Sequence, residues 1–591
     1  MNTYKTCIFE NKIYGKVTKY LFPAILLIYA YLGVNRGIDI TDVGYNLGNY
    51  KYISDLDGMW YYSTFLANVI GAAITHLPFG QTMLGVSVYC ATIKAVFSVC
   101  GYVFFVRNAK VLREAAFLGM FTALSLCWAP QVCLYHYLSY YALFVIAAVI
   151  FVALTGTKKE NLLILAGVLV ALSILIRFPN ICYMALIVPV WWHSFLVKDK
   201  FSDVLRKTGK CIVGVVATLI VMIYLFLSTG RMGEYIKGIK ELFSMTDESE
   251  RYGIKFTLYN LVNSYTCIWY WLIPIGLATV LLIAAGVIIG PKKPSARSGF
   301  FAIRTVVNAG TVAGIGVIYL WYKKTALFDY DFTSYSSMYL FGVVILTVSL
   351  ILFVITALCG RFSDDLRLLS ALAIVIQMIT PLGTNNSLYV VLNSLFFLMP
   401  VAFSIIGELA KFKPVRFLHT GLATLFLLYT VQMVFFYNGF TFREKQHEPQ
   451  DTYVEGNAVL KGMRTTASNA ALLKDLTDLW NENGLAEYPY EVLTFGEMPG
   501  IAYYMSTKPA LSSTWPTLDS YSVEKFTLKM KELGPMMSEK GMKYVIVTDD
   551  SIEREGAKQD ILKNFINENG YITIYDDRGI KVWLREGDLQ K

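Results

Sequence analysis

The chain has 591 residues, 55% of them hydrophobic and only 16% charged, with a formal net charge of +9. A soluble protein of this length needs far more charge to cover its surface, so a soluble fold is excluded. The positive balance does not point to nucleic acid, because cytoplasmic loops of membrane proteins carry excess Lys and Arg anyway.

Repeated apolar runs of spanning length predict a polytopic helical membrane protein. The nine cysteines all precede residue 360 and show no paired metal-ligand spacing, which argues against a zinc site or a disulfide framework. Lys5, Lys12, Lys16 and Lys19 precede the apolar run Tyr20 to Val34, so the N-terminus is expected in the cytoplasm, before an uncleaved first span. The first outer loop then runs from Asn35 to Gln81. Its opening stretch, Gly37 to Tyr50, holds three glycines and two asparagines and reads as a loop. It puts Asp39 and Asp42 just past a membrane boundary, where acids face water, a partner or a substrate. Trp60 to His76 is apolar with aromatic edges and is expected to lie along the interface as an amphipathic helix.

Span two covers Met83 to Val106 and ends in Arg107, Lys110 and Arg113. Spans three (Ala115 to Pro130) and four (Leu138 to Leu154) enclose an aromatic outer turn that contains His136. Span five, Leu162 to Ile176, ends at Arg177-Phe-Pro-Asn180 on the outer side; span six is Ile181 to Val197, and span seven is Ile212 to Leu227. A longer outer loop, Gly230 to Asn260, carries the acidic run Asp247-Glu248-Ser249-Glu250 followed by Arg251. Spans eight (Leu261 to Ile289) and nine (Val306 to Tyr322) leave Lys323 and Lys324 outside, against the charge rule. Spans ten (Met338 to Leu358) and eleven (Leu368 to Pro381) lead to an outer turn with Asn385 and Asn386. Spans twelve (Leu388 to Ile406) and thirteen (Phe417 to Tyr437) complete a count of thirteen, with the C-terminus outside.

Composition changes at Thr441, which divides the chain into a membrane domain, 1–440, and an extracytoplasmic α/β domain, 441–591. A helix is predicted from Asn469 to Glu482 with Leu472, Leu476 and Leu479 on one face. Strands are predicted at Glu491 to Phe495, Tyr544 to Thr548, Tyr571 to Tyr575 and Ile580 to Leu584. Between them, Ser522 caps a helix carrying Phe526, Met530 and Leu533, and Ile561 to Ile566 starts another.

This topology puts Asp39 and Asp42, Arg177 and Asn180, Asp247 and Glu248 with Arg251, and Asn385 and Asn386 on one side, with the α/β domain. A sugar carried on a polyprenyl phosphate has its tail in the bilayer and its head at the same surface. Its leaving phosphate needs electrostatic neutralisation, which a guanidinium supplies with paired donors; Arg177 and Arg251 are the candidates. An acceptor hydroxyl needs a carboxylate to take its proton, and Asp42 is the choice, with Asp39 as helper. A carboxylate acting directly in this way gives displacement with inversion at the anomeric carbon. Tyr45, Asn180, His136, Asp247, Glu248, Asn385 and Asn386 are the candidate sugar or acceptor ligands. The sequence requires no cofactor; Asp39 and Asp42 are the positions at which a divalent cation would bind.

Thirteen spans, an acidic first outer loop with Asp39 and Asp42-Val-Gly-Tyr45, and a tail containing Phe495-Gly-Glu-Met-Pro-Gly-Ile-Ala-Tyr-Tyr504 together resemble the GT-C superfamily of integral membrane glycosyltransferases. Within it, the chain resembles bacterial members related to protein O-mannosyltransferase and lipid A aminoarabinose transferase. The resemblance implies a mainly α fold with a small α/β domain and an essential first-loop Asp. It also implies acids in a later outer loop, inversion, and transfer from a polyprenyl-phosphate donor to an envelope glycan, lipid or protein. The strict Asp-Glu pair of that family is absent here. A transporter or lipid flippase is the alternative, but no half-to-half echo is visible. A non-catalytic envelope-assembly subunit is the other.

Overall fold

The computed structural model describes residues 12–248, 254–266, 309–310, 312–314, 316–317, 320, 331–382, 384, 386–411 and 416–589. Five helices among them are long and apolar enough to cross a membrane: Met83–Arg107, Tyr135–Thr155, Phe201–Ser228, Tyr335–Leu358 and Leu418–Gly439. Shorter apolar helices, among them Leu162–Ile176 and Leu395–Leu409, pack between them. Span eight beyond residue 266 and most of span nine lie outside the described residues. Two further spans are irregular. Span six is a 3-10 turn, Phe178–Leu186, running into the helix Ile187–Leu196, and span twelve is split into Tyr389–Leu392 and Leu395–Leu409. The chain is therefore a mostly helical, multi-pass membrane protein.

The bundle is tight where side chains are small. Gly167 on Leu162–Ile176 and Gly214 on Phe201–Ser228 leave no room for a Cβ against the facing backbone, so the two helices meet directly. The opposite face of Phe201–Ser228 carries exposed Ile212, Val213, Val216 and Ile220, as a lipid-facing stripe should.

Gly37 to Tyr50 is not a loop throughout. Asp42–Lys51 is a helix, seven of whose residues are buried. Its glycines serve close approach instead of turning: a Cβ on Gly44 would collide with Gly500, and one on Gly48 would lie 2.8 Å from Thr514 Cγ2. The apolar stretch after it forms the helices Gly58–Tyr62 and Phe65–Thr75. Phe65–Thr75 packs with one face on the first-loop helix. Gly71 packs on the Tyr50 ring, and Asn68 Nδ2 donates to Trp60 O at 3.0 Å, so the helix is buried beneath the first-loop helix.

Every described strand lies beyond residue 451. β1 (Thr452–Tyr453) pairs antiparallel with β2 (Arg464–Thr465). A five-stranded sheet runs in the order β4-β3-β5-β7-β6, with β3 Tyr490–Phe495, β4 Lys508–Pro509, β5 Lys543–Asp549, β6 Tyr571–Asp577 and β7 Ile580–Arg585. β3 is parallel to β4 and β5, whereas β7 is antiparallel to β5 and β6. The run Tyr544 to Thr548 on β5 is continuously buried, as a strand covered on both faces requires.

Three helices flank the sheet. Ala467–Asn483 is capped by Thr466 Oγ1 and ends at Gly484 with φ +60°, and Val523–Lys540 is capped by Ser522 and ends at Gly541 with φ +64°. Ala557–Glu568 is the third. Ala470, Leu473, Leu476 and Trp480 form the buried stripe of the first, one position round from the expected Leu472 and Leu479. One continuous apolar core joins the two regions, running from Ile38, Val43 and Leu47 to Ile501, Ala502, Tyr503 and Tyr504.

Candidate active site

The site is built from the start of the first outer loop. Asp39 is fully buried and spends its carboxylate on the chain that follows: Oδ1 accepts from Thr41 N (2.8 Å) and Thr41 Oγ1 (2.5 Å), and Oδ2 accepts from Val43 N (2.8 Å). These bonds satisfy amides that would otherwise be orphaned at a helix N-terminus. The Asp39 carbonyl in turn accepts from Tyr504 Oη (2.5 Å). Burial raises the Asp39 carboxyl from its usual 3.8 to about 6, against the opposing pull of those hydrogen bonds. The result is that Asp42 opens the helix, where the dipole favours a carboxylate.

Asp42 faces a cavity of about 640 Å³. Tyr45, His136, Arg177 and Asn386, all expected site residues, line the same cavity. Trp60, Trp128, Tyr135, Tyr335, Tyr389 and Trp515 supply aromatic walls. Arg177 sits at the C-terminal end of Leu162–Ile176, in extended conformation, with its guanidinium 5.7 Å from the centroid of the Tyr135 ring. His136 stacks at a tilt on Tyr135 with ring centroids 4.0 Å apart, and its Nδ1 has no hydrogen-bond partner among the described residues. Tyr45 is edge-on to Trp60 and tilted against Trp515.

Arg443, which the sequence reading did not single out, also lines the cavity. Its Nε lies 3.6 Å from Asp42 Oδ2. Burial raises the Asp42 carboxyl, and the Arg443 guanidinium works against that rise. A signal for Arg443 existed: on the topology expected from the sequence, an arginine directly after the last span would fall against the positive-inside rule and call for a local partner.

Three expectations change. Asp39 does not face the large cavity, and its two oxygens are engaged by three donors, so it positions the helix. Asn180 is buried and its Nδ2 donates to Ser139 Oγ (2.8 Å) and Ser173 O (2.9 Å), so its amide ties helices together and does not reach the cavity. The paired-carboxylate cation position does not form either: Asp39 is spent on donors, and a cation at Asp42 would meet the Arg443 guanidinium. No group of three or more His, Cys, Asp or Glu side chains with metal-holding geometry occurs among the described residues. Asp247 and Glu248 end the helix Met232–Glu248, but their side chains, like Arg251 and Asn385, lie outside the described residues.

A carboxylate, two guanidiniums and aromatic walls thus line one cavity between the helices and the sheet region of a multi-pass membrane protein. No protein-family model and no curated protein matches the chain. Among solved structures it is similar to the crystal structure of ArnT from Cupriavidus metallidurans bound to undecaprenyl phosphate, at 11% identity and a TM-score of 0.43, over 98% of this chain and 99% of that one. It is also similar to the Archaeoglobus fulgidus oligosaccharyltransferase in complex with Zn and sulfate, at 12% identity and a TM-score of 0.42, over 96% and 74% of the two chains. A third is the archaeal oligosaccharyltransferase AglB from Archaeoglobus fulgidus with an inhibitory peptide and a dolichol-phosphate, at 11% identity and a TM-score of 0.39, over 97% and 75%.

Proposed function

We propose that this chain transfers a sugar from a polyprenyl-phosphate-linked donor to a cell-envelope glycan, lipid or protein, at the outer face of the membrane. In this reading residues 1–440 form the membrane domain, residues 441–591 the extracytoplasmic α/β domain, and the N-terminus is cytoplasmic. The observation that carries it is the cavity in which Asp42 and Arg177 share a wall-to-wall space with His136, Tyr45 and Asn386.

Asp42 takes the proton of the acceptor hydroxyl as its oxygen attacks the anomeric carbon. Arg177 meets the charge that develops on the departing phosphate. The hydroxyl, amide and imidazole groups of Tyr45, Asn386 and His136 hold the sugar, and the aromatic walls stack on its apolar face. Asp42 is the one carboxylate among the described lining residues. A covalent glycosyl-enzyme route uses two carboxyl groups, so a single carboxylate supports one direct displacement with inversion.

Asp42→Asn is the test. Sugar transfer to the envelope should fall by about 100-fold or more, the range expected for loss of a general base. Expression and thermal midpoint should stay at wild-type values. Undiminished transfer by the folded variant would remove Asp42 from the mechanism.

A further inference from the structure

The described residues that line the large cavity include one carboxylate, Asp42, and two guanidiniums, Arg177 and Arg443. Among these described lining side chains the charges sum to one positive, with His136 neutral. A phosphodiester brings one negative charge and cancels it.

The position of Arg443 is unusual in a second way. Its backbone is pinned on both sides: Phe442 N donates to Ala129 O at 2.9 Å, and the Glu444 carboxylate accepts from Ile38 N at 2.9 Å and from Thr465 Oγ1. Arg443 itself has φ +63°, in the left-handed region that a side chain adopts only when its neighbours hold it there. Its side chain is about half exposed and reaches Asp42 at 3.6 Å, longer than a well-formed charge-assisted bond of roughly 2.8 Å. It also lines a second cavity, of about 380 Å³, on the other side of the Asp39–Asp42 turn. The backbone is fixed and the ion pair is loose.

We infer that Arg443 is a second phosphate cation that changes partner during the reaction, from Asp42 in the empty site to the phosphate of the polyprenyl carrier. This rests on the donor class proposed above. The charge balance makes the exchange self-timed. Before transfer, the cavity holds ionised Asp42, both guanidiniums and a phosphodiester with one negative charge, so the sum is zero. The acceptor oxygen then bonds to the anomeric carbon, the bond from that carbon to the phosphate oxygen breaks, and its electron pair stays on the phosphate. The acceptor proton moves to Asp42. Asp42 is now neutral and releases Arg443, while the phosphate has gained a second negative charge; the sum is again zero. Neutralising the carboxylate and charging the phosphate are the same step, and Arg443 contacts Asp42 and lines the cavity proposed to take the phosphate.

The experiment measures binding of undecaprenyl phosphate to the full-length protein in lipid nanodiscs for wild type, Asp42→Asn, Arg443→Gln and the double variant. Gln adds no branching at Cβ, so it introduces no new strain at the left-handed position. Arg443→Gln should weaken binding by about 10-fold or more, the range of a lost charge-assisted bond. Asp42→Asn, which mimics the protonated base, should tighten it several-fold, and that gain should vanish when Arg443 is Gln. An Arg443 that only braces the loop would show no dependence between the two sites: any gain in Asp42→Asn, from lost repulsion of the phosphate, would persist in the double variant. Wild-type binding with an unaffected Arg443→Gln overturns this inference alone. No binding of undecaprenyl phosphate by wild type overturns the proposed donor class, and the inference with it.

Discussion

The contact between Gly44 and Gly500 fixes where the proposed base stands, and Gly44→Ala tests it. Gly44 lies two residues after Asp42 on the first-loop helix, and Gly500 N donates to Ile40 O at 2.8 Å. A Cβ on Gly44 would collide with Gly500 Cα and lie 3.0 Å from Gly500 N, and a Cβ on Gly500 would lie 2.9 Å from Gly44 Cα. Both obstacles are backbone, so no side chain can swing aside. Carbon atoms rest at roughly 3.5–4.0 Å, so the two segments must separate by about 1 Å. Overpacking of this kind costs about 1–3 kcal/mol, enough to lower the thermal midpoint by a few degrees without unfolding the protein. The larger effect is on position. A misplacement of about 1 Å reduces rate by about 100-fold when reacting groups must be held in near-attack geometry. Gly44→Ala should therefore lose most sugar transfer while still folding. Gly209→Ala, on Phe201–Ser228 with nothing within 4 Å of its Cβ, should keep full activity. Transfer within two-fold of wild type in Gly44→Ala would show that the glycine contact does not set the geometry of Asp42.

Two further outcomes concern the junction itself. The Asp39 carboxyl, raised by burial to about 6, contributes stability that is fully present below its unfolded value of 3.8 and is lost as pH rises through 6; the whole change is about 3 kcal/mol. Between pH 4 and 6.5 the thermal midpoint of wild type should fall relative to that of Asp39→Asn, and the two curves should run parallel above pH 7; parallel curves throughout would contradict the assignment. Lys525 Nζ joins the sheet region to Asp57 of the first loop (2.8 Å) and to Glu241 of the Met232–Glu248 helix (3.4 Å). Lys525→Met should lower the midpoint and show coupling of about 1 kcal/mol with Asp57→Asn in a double-mutant cycle, whereas additive effects would mean that the pair adds nothing.

The C-terminal elements were legible because their signals are local. The strands from Tyr490, Lys543, Tyr571 and Ile580 begin within a residue of expectation, since β-branched and aromatic runs between turn residues leave little choice. Ser522 and Gly484 mark helix ends by the same logic. The stripe of Ala467–Asn483 was harder: Leu472, Leu476, Leu479 and Leu473, Leu476, Trp480 are both acceptable helical faces, and only the sheet beneath chooses. The helix Asp42–Lys51 was illegible, because its glycines answer to Gly500 and Thr514, more than four hundred residues away, and locally they read as turn formers. Of the candidate site, Asp42, Tyr45, His136, Arg177 and Asn386 meet in one cavity, because polar groups at span ends on one side have few other places to go. Asn180 was drawn away by Ser139 and Ser173, partners that only packing brings near.

The ion pair between Asp42 and Arg443 joins the two ends of the membrane region. Asp42 follows the first apolar helix, and Arg443 follows the helix Arg416–Gly439. Neither is placed by its own segment. Gly37 N donates to Arg464 O and Arg464 N donates to Asn35 O, both at 2.7 Å, so the start of the first loop is held by the chain just before the sheet region. Phe442 is held by Ala129 and Glu444 by Ile38, Thr465 and Asn469. The helix that begins with Asp42 is held by Gly500 and Tyr504. Beside the local bonds of Asp39, the contacts of Gly37, Ile38, Asp39 O and Ile40 O that position the base thus reach across to the C-terminal region. A membrane bundle alone would keep the Asp42 residue and lose the groups that aim it. On this reasoning the C-terminal region is part of the proposed catalytic geometry and more than an appended acceptor-binding module.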